Sequence, residues 1–300
     1  MGGSIPHIVQ YQGSKRLLAR QILNYIPQKF NRYIEPFCGT AAIAIAVARE
    51  KKVNSFWLND INKPLVNMLK NAIESPQSLY ENYKNVWEGQ IAGDSVEHFF
   101  SIRKEFNNGD KCPANMLYLL ARCVKGAVRY NEKGELNQSC DKRRMGTKPD
   151  TILKNISAVS ALLKGKTKYT AQDYKDIFVQ TKPGDILYMD PPYQGTSQFR
   201  DNRYLSGVSY DEFTENIKIL NERKVDFLIS YDGVCGNKSY GRDLPKELEC
   251  HKLLLKAGRS TQSTLLGRND ITYEALYISK GLQYLIDKIP KQELLWENVV

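Results

Sequence analysis

The chain has 300 residues, 42% of them hydrophobic, with 43 Lys and Arg against 33 Asp and Glu, a formal charge of +10. That length can bury a large core in one domain or two, and the basic excess suits a polyanionic partner. No stretch is long and apolar enough to span a membrane, and the N-terminus lacks the charged and apolar sections of a signal peptide. The six cysteines show neither CxxC pairs nor ligand spacing with the three histidines, so free thiols, no structural metal and a cytoplasmic setting are expected.

From Tyr33 onward, strand and helix patterns alternate. Residues 33–37, YIEPF, predict a short strand, and 40–50, TAAIAIAVARE, a helix of good helix formers with Ile43 and Val47 four apart. SFWLND is a second strand, and KPLVNMLKNAI a second helix with Leu65, Met68, Leu69 and Ala72 on one face. Later, DTILKNISAVSALL predicts a helix, GDILYMD a strand, EFTENIKILNE a helix, and DFLISYD and YEALYIS two further strands. Strands separated by helices imply an α/β fold with a parallel sheet covered on both faces. Residues 74–149 break the rhythm and read as an insertion, with a hairpin in AVRYNEKGELNQ that turns at Asn131 to Gly134. Charge gathers there: residues 101–150 hold 11 Lys/Arg against 6 Asp/Glu, whereas 201–250 hold 7 against 10.

Two stretches carry chemistry. In ILYMDPPYQG an apolar run meets Asp190 and then stops, because Pro191 and Pro192 donate no backbone hydrogen bond and fix φ. The result is a stiff shelf that holds a carboxylate outward with Tyr193 beside it. In EPFCGTA a first strand ends, and Asp60 follows Gly39 by 21 positions at the end of the next strand. In a doubly wound sheet an acid about 20 residues past the first turn grips a ribose. A dinucleotide fingerprint needs G-x-G-x-x-G, and only Gly39 is present. The pattern therefore suits a nucleoside without phosphates, with S-adenosylmethionine the obvious choice. Asp60 could equally cap the helix that begins near Pro64, Lys15 could be a solvated cation at a helix start, and Phe37 or Tyr193 could be core aromatics.

Four blocks in order, YQGSK at 11–15, YIEPFCGTAAIA at 33–44, LNDIN at 58–62 and DPPY at 190–193, resemble the Dam-type DNA adenine methyltransferases. The resemblance covers nearly the whole chain. It implies a Rossmann-like S-adenosylmethionine-dependent methyltransferase fold, catalytic over 1–73 and 150–300, with an inserted, mostly helical, hairpin-bearing target-recognition domain over 74–149. It implies that Tyr11 and Lys15 meet the cofactor's amino-acid portion and the floor of the site. Glu35, Pro36, Phe37 and Gly39 would lie under its methionine part, Asp60 on the ribose and Ile61 on the adenine. AQDYKDIF at 171–178 resembles the block that meets the adenine edge, which nominates Asp173 and Tyr174. Asp190, Pro191, Pro192 and Tyr193 would face both cofactor and target.

The implied partner is double-stranded DNA, with a cognate restriction endonuclease as an optional companion and no membrane. Arg122, Lys125, Arg129, Asn131 and Lys133 in the insert, and Arg259 and Arg268 in GRSTQSTLLGRND, are the nominated DNA contacts. Lys142, Arg143 and Arg144 form a run suited to phosphates. Here the sequence departs from the family. Its common block reads roughly Asn-Arg-x-Gly-Tyr-Asn-Gly, whereas this chain has Ala121-Arg122-Cys123-Val124-Lys125-Gly126, so GATC specificity is not transferred. Methylation of RNA, methylation of the cytosine exocyclic amine, and a catalytically dead DNA-binding regulator stay open at this point.

Overall fold

The apolar runs near Tyr33, Trp57 and Leu187 become the buried centre of one sheet. The computed structural model describes residues 4–192, 208–235, 238–239, 242–259 and 271–288. β1 (Arg32–Glu35) lies between β2 (Phe56–Asn59) and β4 (Asp185–Met189), parallel to both. β3 (Thr167–Thr170) adds to β2 and β5 (Asp226–Cys235) to β4, again parallel. The order is β3-β2-β1-β4-β5-β8-β7, with β7 (His251–Arg259) at one edge and the two-residue β6 (Lys238–Ser239) paired to the end of β5.

β8 (Ile271–Ile278) departs from the parallel expectation and runs against both β5 and β7. Only residues 260–270 separate β7 from β8, fewer than a parallel crossover needs. The sheet is Rossmann-like, and its winding reverses between β1 and β4, where ligands sit beyond the carboxyl ends of the strands.

Alternate residues feed two apolar cores, one on each face. Tyr33, Phe56, Ile186 and Leu228 pack with α1 (Ala19–Leu23), α2 (Ala42–Glu50), α3 (Lys63–Glu74) and α7 (Pro149–Leu163). Ile34, Trp57, Leu187 and Phe227 pack with α8 (Tyr174–Phe178) and α9 (Tyr210–Glu222). Each such side chain contributes roughly 1.5–3 kcal/mol when fully buried, so the pleat fixes the register firmly.

The insert supplies α4 (Pro76–Gly89), α5 (Ser95–Asn107) and α6 (Pro113–Arg122), which pack beside α3 and α7 and extend the first core. Their starts follow ordinary chemistry: a proline opens α4 and α6, and Asp94 caps α5 by accepting from Val96 N and Glu97 N at 2.7 and 3.1 Å. After α6 comes the hairpin, held by isolated antiparallel bridges Cys123–Cys140 and Tyr130–Leu136 in place of a continuous ladder. Its turn is where the sequence put it: Gly134 N donates to the Asn131 carbonyl at 3.0 Å, and Asn131 Oδ1 accepts from Lys133 N and Glu135 N. Burial alternates along both arms. Val128, Tyr130, Leu136 and Gln138 face inward, while Arg129, Asn137 and Ser139 face solvent. No helix among the described residues is long and apolar enough to cross a membrane.

Candidate active site

The loop after β1 is locked by the loop after β2. Cys38 N donates to the Asn59 carbonyl at 2.8 Å, and Gly39 adopts φ +50°, a left-handed conformation that glycine takes without penalty. Ala41 follows at φ +57°, a conformation that costs a non-glycine residue roughly 1–2 kcal/mol, and α2 starts directly after it. Asp60 joins the two loops: its Oδ2 accepts from Gly39 N and its Oδ1 from Asn62 N, both at 2.9 Å. Burial raises the Asp60 pKa, against these two hydrogen bonds, which lower it. The helix-cap reading of Asp60 is not realised, because Asn62 caps α3 through Leu65 N at 3.3 Å. Asp60 also lines the cavity.

Asn59 is a residue that sequence reasoning missed. Its side-chain amide donates to the carbonyls of Pro36 and Gln172 and accepts from Thr170 Oγ1 and Gln172 N, at 2.7–3.0 Å. All its hydrogen-bonding capacity holds three loops together. The only hint was an amide standing between an apolar strand and an acid.

β4 ends at Met189, one residue before Asp190, as the two prolines require. Lys15 Nζ lies 3.1 Å from Asp190 Oδ1, 3.5 Å from Glu274 Oε2 and 3.3 Å from the Gly13 carbonyl. Burial alone would lower the Lys15 pKa, but Asp190 and Glu274 together hold it above the usual lysine range. Lys15 is 6% exposed, so it is not the solvated helix-start cation that the sequence also allowed. Glu274, on β8, was not foreseen; burial raises its carboxyl pKa despite the Lys15 charge. Glu35 is pushed up to about 8, first by burial and also by the Asp190 charge, while hydrogen bonds from Tyr33 and the Ala44 backbone oppose the shift.

Lys15, Glu35, Asp60 and Asp190 line a cavity of about 190 Å³ at the sheet's switch point, whereas Asn59 and Glu274 stand behind its wall. Tyr11, Lys15, Glu35, Pro36, Phe37, Gly39, Asp60, Ile61, Asp173, Tyr174, Asp190 and Pro192 all border it. Tyr11 lies against Gly39, where its ring would touch a Cβ at 3.5 Å. Phe37 packs on Tyr174 with ring centroids 5.2 Å apart. Asp173 also caps α8 through Lys175 N at 2.9 Å, so cap and cavity wall coincide in one residue. Two observations fit a nucleoside guest. The Tyr174 hydroxyl is buried with no hydrogen-bond partner among the described residues, and Ile61 is an apolar side chain left 46% exposed at the rim.

The other nominated residues divide. Arg122 is corrected: it is 1% exposed, and its guanidinium donates to Gln90 Oε1, Ser95 Oγ and the Asp141 carbonyl inside the insert. It faces inward and holds that core together. Arg129, Lys133 and the run Lys142 to Arg144 are exposed, and Asn131 forms the hairpin turn. Lys125 sits in a 3-10 turn and Arg259 ends β7, but both side chains lie outside the described residues, as do Tyr193 and Arg268 altogether.

Asp190, followed by two prolines, thus stands on the wall of a cavity at the switch point. The family of D12 class N6 adenine-specific DNA methyltransferases matches residues 11–260. The chain belongs to that family. The methyltransferase is 26% identical over 277 residues to the Type II methyltransferase M1.LlaDCHI of Lactococcus lactis subsp. cremoris, covering 88% of this chain and 92% of that one. It is 22% identical over 281 residues to the DNA adenine methylase of Serratia marcescens, covering 88% and 94%. It is 28% identical over 194 residues to the DNA N-6-adenine-methyltransferase of Escherichia phage P1, covering 62% of this chain and 24% of the phage protein. The enzyme therefore acts on adenine in DNA, and the RNA, cytosine and regulator readings fall away.

Proposed function

We propose that the enzyme moves a methyl group from S-adenosylmethionine to N6 of an adenine flipped out of duplex DNA, at a site chosen by the insert over residues 74–149. The observation that carries this is the placement of Asp190, at a strand's carboxyl end, on the wall of a cavity that also holds Asp60, Ile61 and Tyr174. When bound, S-adenosylmethionine would supply the methyl group, with a neutral sulfide as the leaving group. Asp60 suits its ribose hydroxyls, Ile61 and the Phe37–Tyr174 pair suit its adenine, and the carboxylates around Lys15 suit its positive charge.

The residues then act on the target amine. That nitrogen is a poor nucleophile because its lone pair is delocalised into the ring. The Asp190 carboxylate and the Pro191 carbonyl accept its two N–H bonds, favouring a tetrahedral nitrogen and stabilising the positive charge as the N–C bond forms. Lys15, 3.1 Å from Oδ1, holds the Asp190 carboxylate in place. After transfer one proton leaves the methylated amine, so no base need act beforehand. Flipping costs a few kcal/mol, and stacking on Tyr193 returns roughly 1–3 kcal/mol.

The test is to express the chain in a host lacking DNA methylation and to map modified bases across the genome. The proposal expects N6-methyladenine at one short motif and nowhere else; methylation of cytosine, or adenine methylation without a motif, contradicts it. A companion endonuclease would be expected to cut the same motif when unmethylated.

A further inference from the structure

Arg129 and Tyr130 are consecutive in the hairpin and face opposite ways. Arg129 is exposed, whereas Tyr130 is 6% exposed and borders the same cavity as Asp60. The Tyr130 hydroxyl accepts a hydrogen bond from Asn62 Nδ2 at 2.8 Å. Asn62 in turn donates its backbone N–H to Asp60 and accepts from Leu65 N. An unbroken chain of hydrogen bonds thus runs from the cavity carboxylate to the residue beside Arg129.

A second contact is independent of the first. Gln12 N donates to the Gly126 carbonyl at 3.0 Å, joining the YQGSK loop to the start of the hairpin. Gly126 has φ +62°, and a Cβ there would collide with the Gln10 carbonyl oxygen. The first arm of the hairpin is therefore keyed to two walls of the cavity. The second arm is tied elsewhere, to α5, through Asn107 with Leu136 and Arg103 with the Gln138 carbonyl.

We propose that Tyr130 is a positioning residue that couples occupancy of the cavity to the pose of the hairpin, so that the loaded enzyme presents Arg129 in a fixed orientation. This rests on the reading of the cavity as the cofactor site. The Asn62–Tyr130 bond is already buried, so a ligand against Asp60 and Tyr130 acts by ordering the two loops that this bond joins, and DNA then meets an arm already ordered. Linkage is reciprocal, so DNA on the hairpin tightens the cofactor by the same factor.

Tyr130→Phe keeps the ring and deletes only the hydroxyl. Asn62→Ser keeps a capping oxygen for α3 and deletes the amide that reaches Tyr130. Hydrogen exchange is measured on the full chain with and without saturating S-adenosylhomocysteine, with binding checked by calorimetry on the same samples. In the parent protein the Asn131, Gly134 and Asn137 amides, which donate within the hairpin, slow about fivefold or more on saturation. In either variant they slow less than about twofold, although the ligand still binds. With sheared genomic duplex DNA, the ligand tightens binding of the parent and leaves both variants unchanged. Equal protection in parent and variants, or a parent that binds the ligand with no change in the hairpin, overturns the proposal. A parent that does not bind S-adenosylhomocysteine overturns the cofactor reading, and the coupling with it.

Discussion

The cavity floor and the hairpin are both rich in charged side chains, but they use them differently. Around the cavity, Asp60 and Lys15 are held by two or three partners each, and much of that bonding fixes backbone. In the insert, Arg122 is turned inward and saturated, while Arg129 is seven residues further on and open to solvent. Preorganisation belongs where charge develops during a reaction, because donors already in place need no rearrangement. A surface that reads DNA needs free donors instead, since a guanidinium bound to protein cannot also pair with guanine. Arginine count alone cannot separate these roles; the side of the element on which the arginine falls does.

The comparison is broken most strongly at Arg122. Arg122→Ala takes the donor from the Asp141 carbonyl and leaves Gln90 Oε1 with the Tyr118 hydroxyl alone, a loss of roughly 3 kcal/mol. At two to four degrees per kcal/mol the melting temperature falls by roughly 6–12 °C. A variant that melts normally but binds DNA poorly would show that the guanidinium faces DNA after all.

On the cavity side, Asp60→Ala should weaken S-adenosylhomocysteine by about ten- to a hundredfold, the worth of one charge-assisted hydrogen bond at roughly 1.5–3 kcal/mol. Calorimetry reads this directly, and unchanged affinity removes Asp60 from the site. On the hairpin side, Arg129→Ala should relax one position of the methylated motif, at a cost of about 1–3 kcal/mol. Replacing Lys142, Arg143 and Arg144 together should leave the motif unchanged and make binding weaker and less salt-sensitive. If neither change alters motif or affinity, the insert is not the reader.

The effect at Glu35 depends on pH. The folded protein keeps the Glu35 proton up to about pH 8, whereas an unfolded chain releases it near 4.3. Between those values the folded state binds the extra proton, so this group's contribution to stability falls as pH rises. Glu35→Gln carries no such loss. Its melting temperature relative to the parent should rise from pH 5 to pH 8.5, and a constant difference contradicts the raised pKa.

What the sequence disclosed follows from where information is local. The central strands were legible because β4 is an uninterrupted buried run, and the place of Asp60 in the cavity wall because its spacing from Gly39 put it at the end of the neighbouring strand. The edge strands were not: β3 is TKYT, with little to bury, and its pairing is set by the completed sheet. Asn59, Tyr130 and Glu274 gain their roles from partners far away in sequence, which no spacing announces. Arg122 did carry a signal. It stands four residues after Tyr118 on one face of α6, and both reach Gln90, so helical periodicity marked it as inward while basic composition suggested the reverse.

The central claim is that Asp190 acts on the amine as charge develops. It is tested by single-turnover methyl transfer with Asp190→Ala, beside titrations of the same protein with S-adenosylhomocysteine and with duplex DNA. Loss of one preorganised acceptor predicts transfer slowed by about 10²–10³-fold or more, with a folded protein and DNA binding close to that of the parent. Transfer at near-parent rate in the variant would contradict the account.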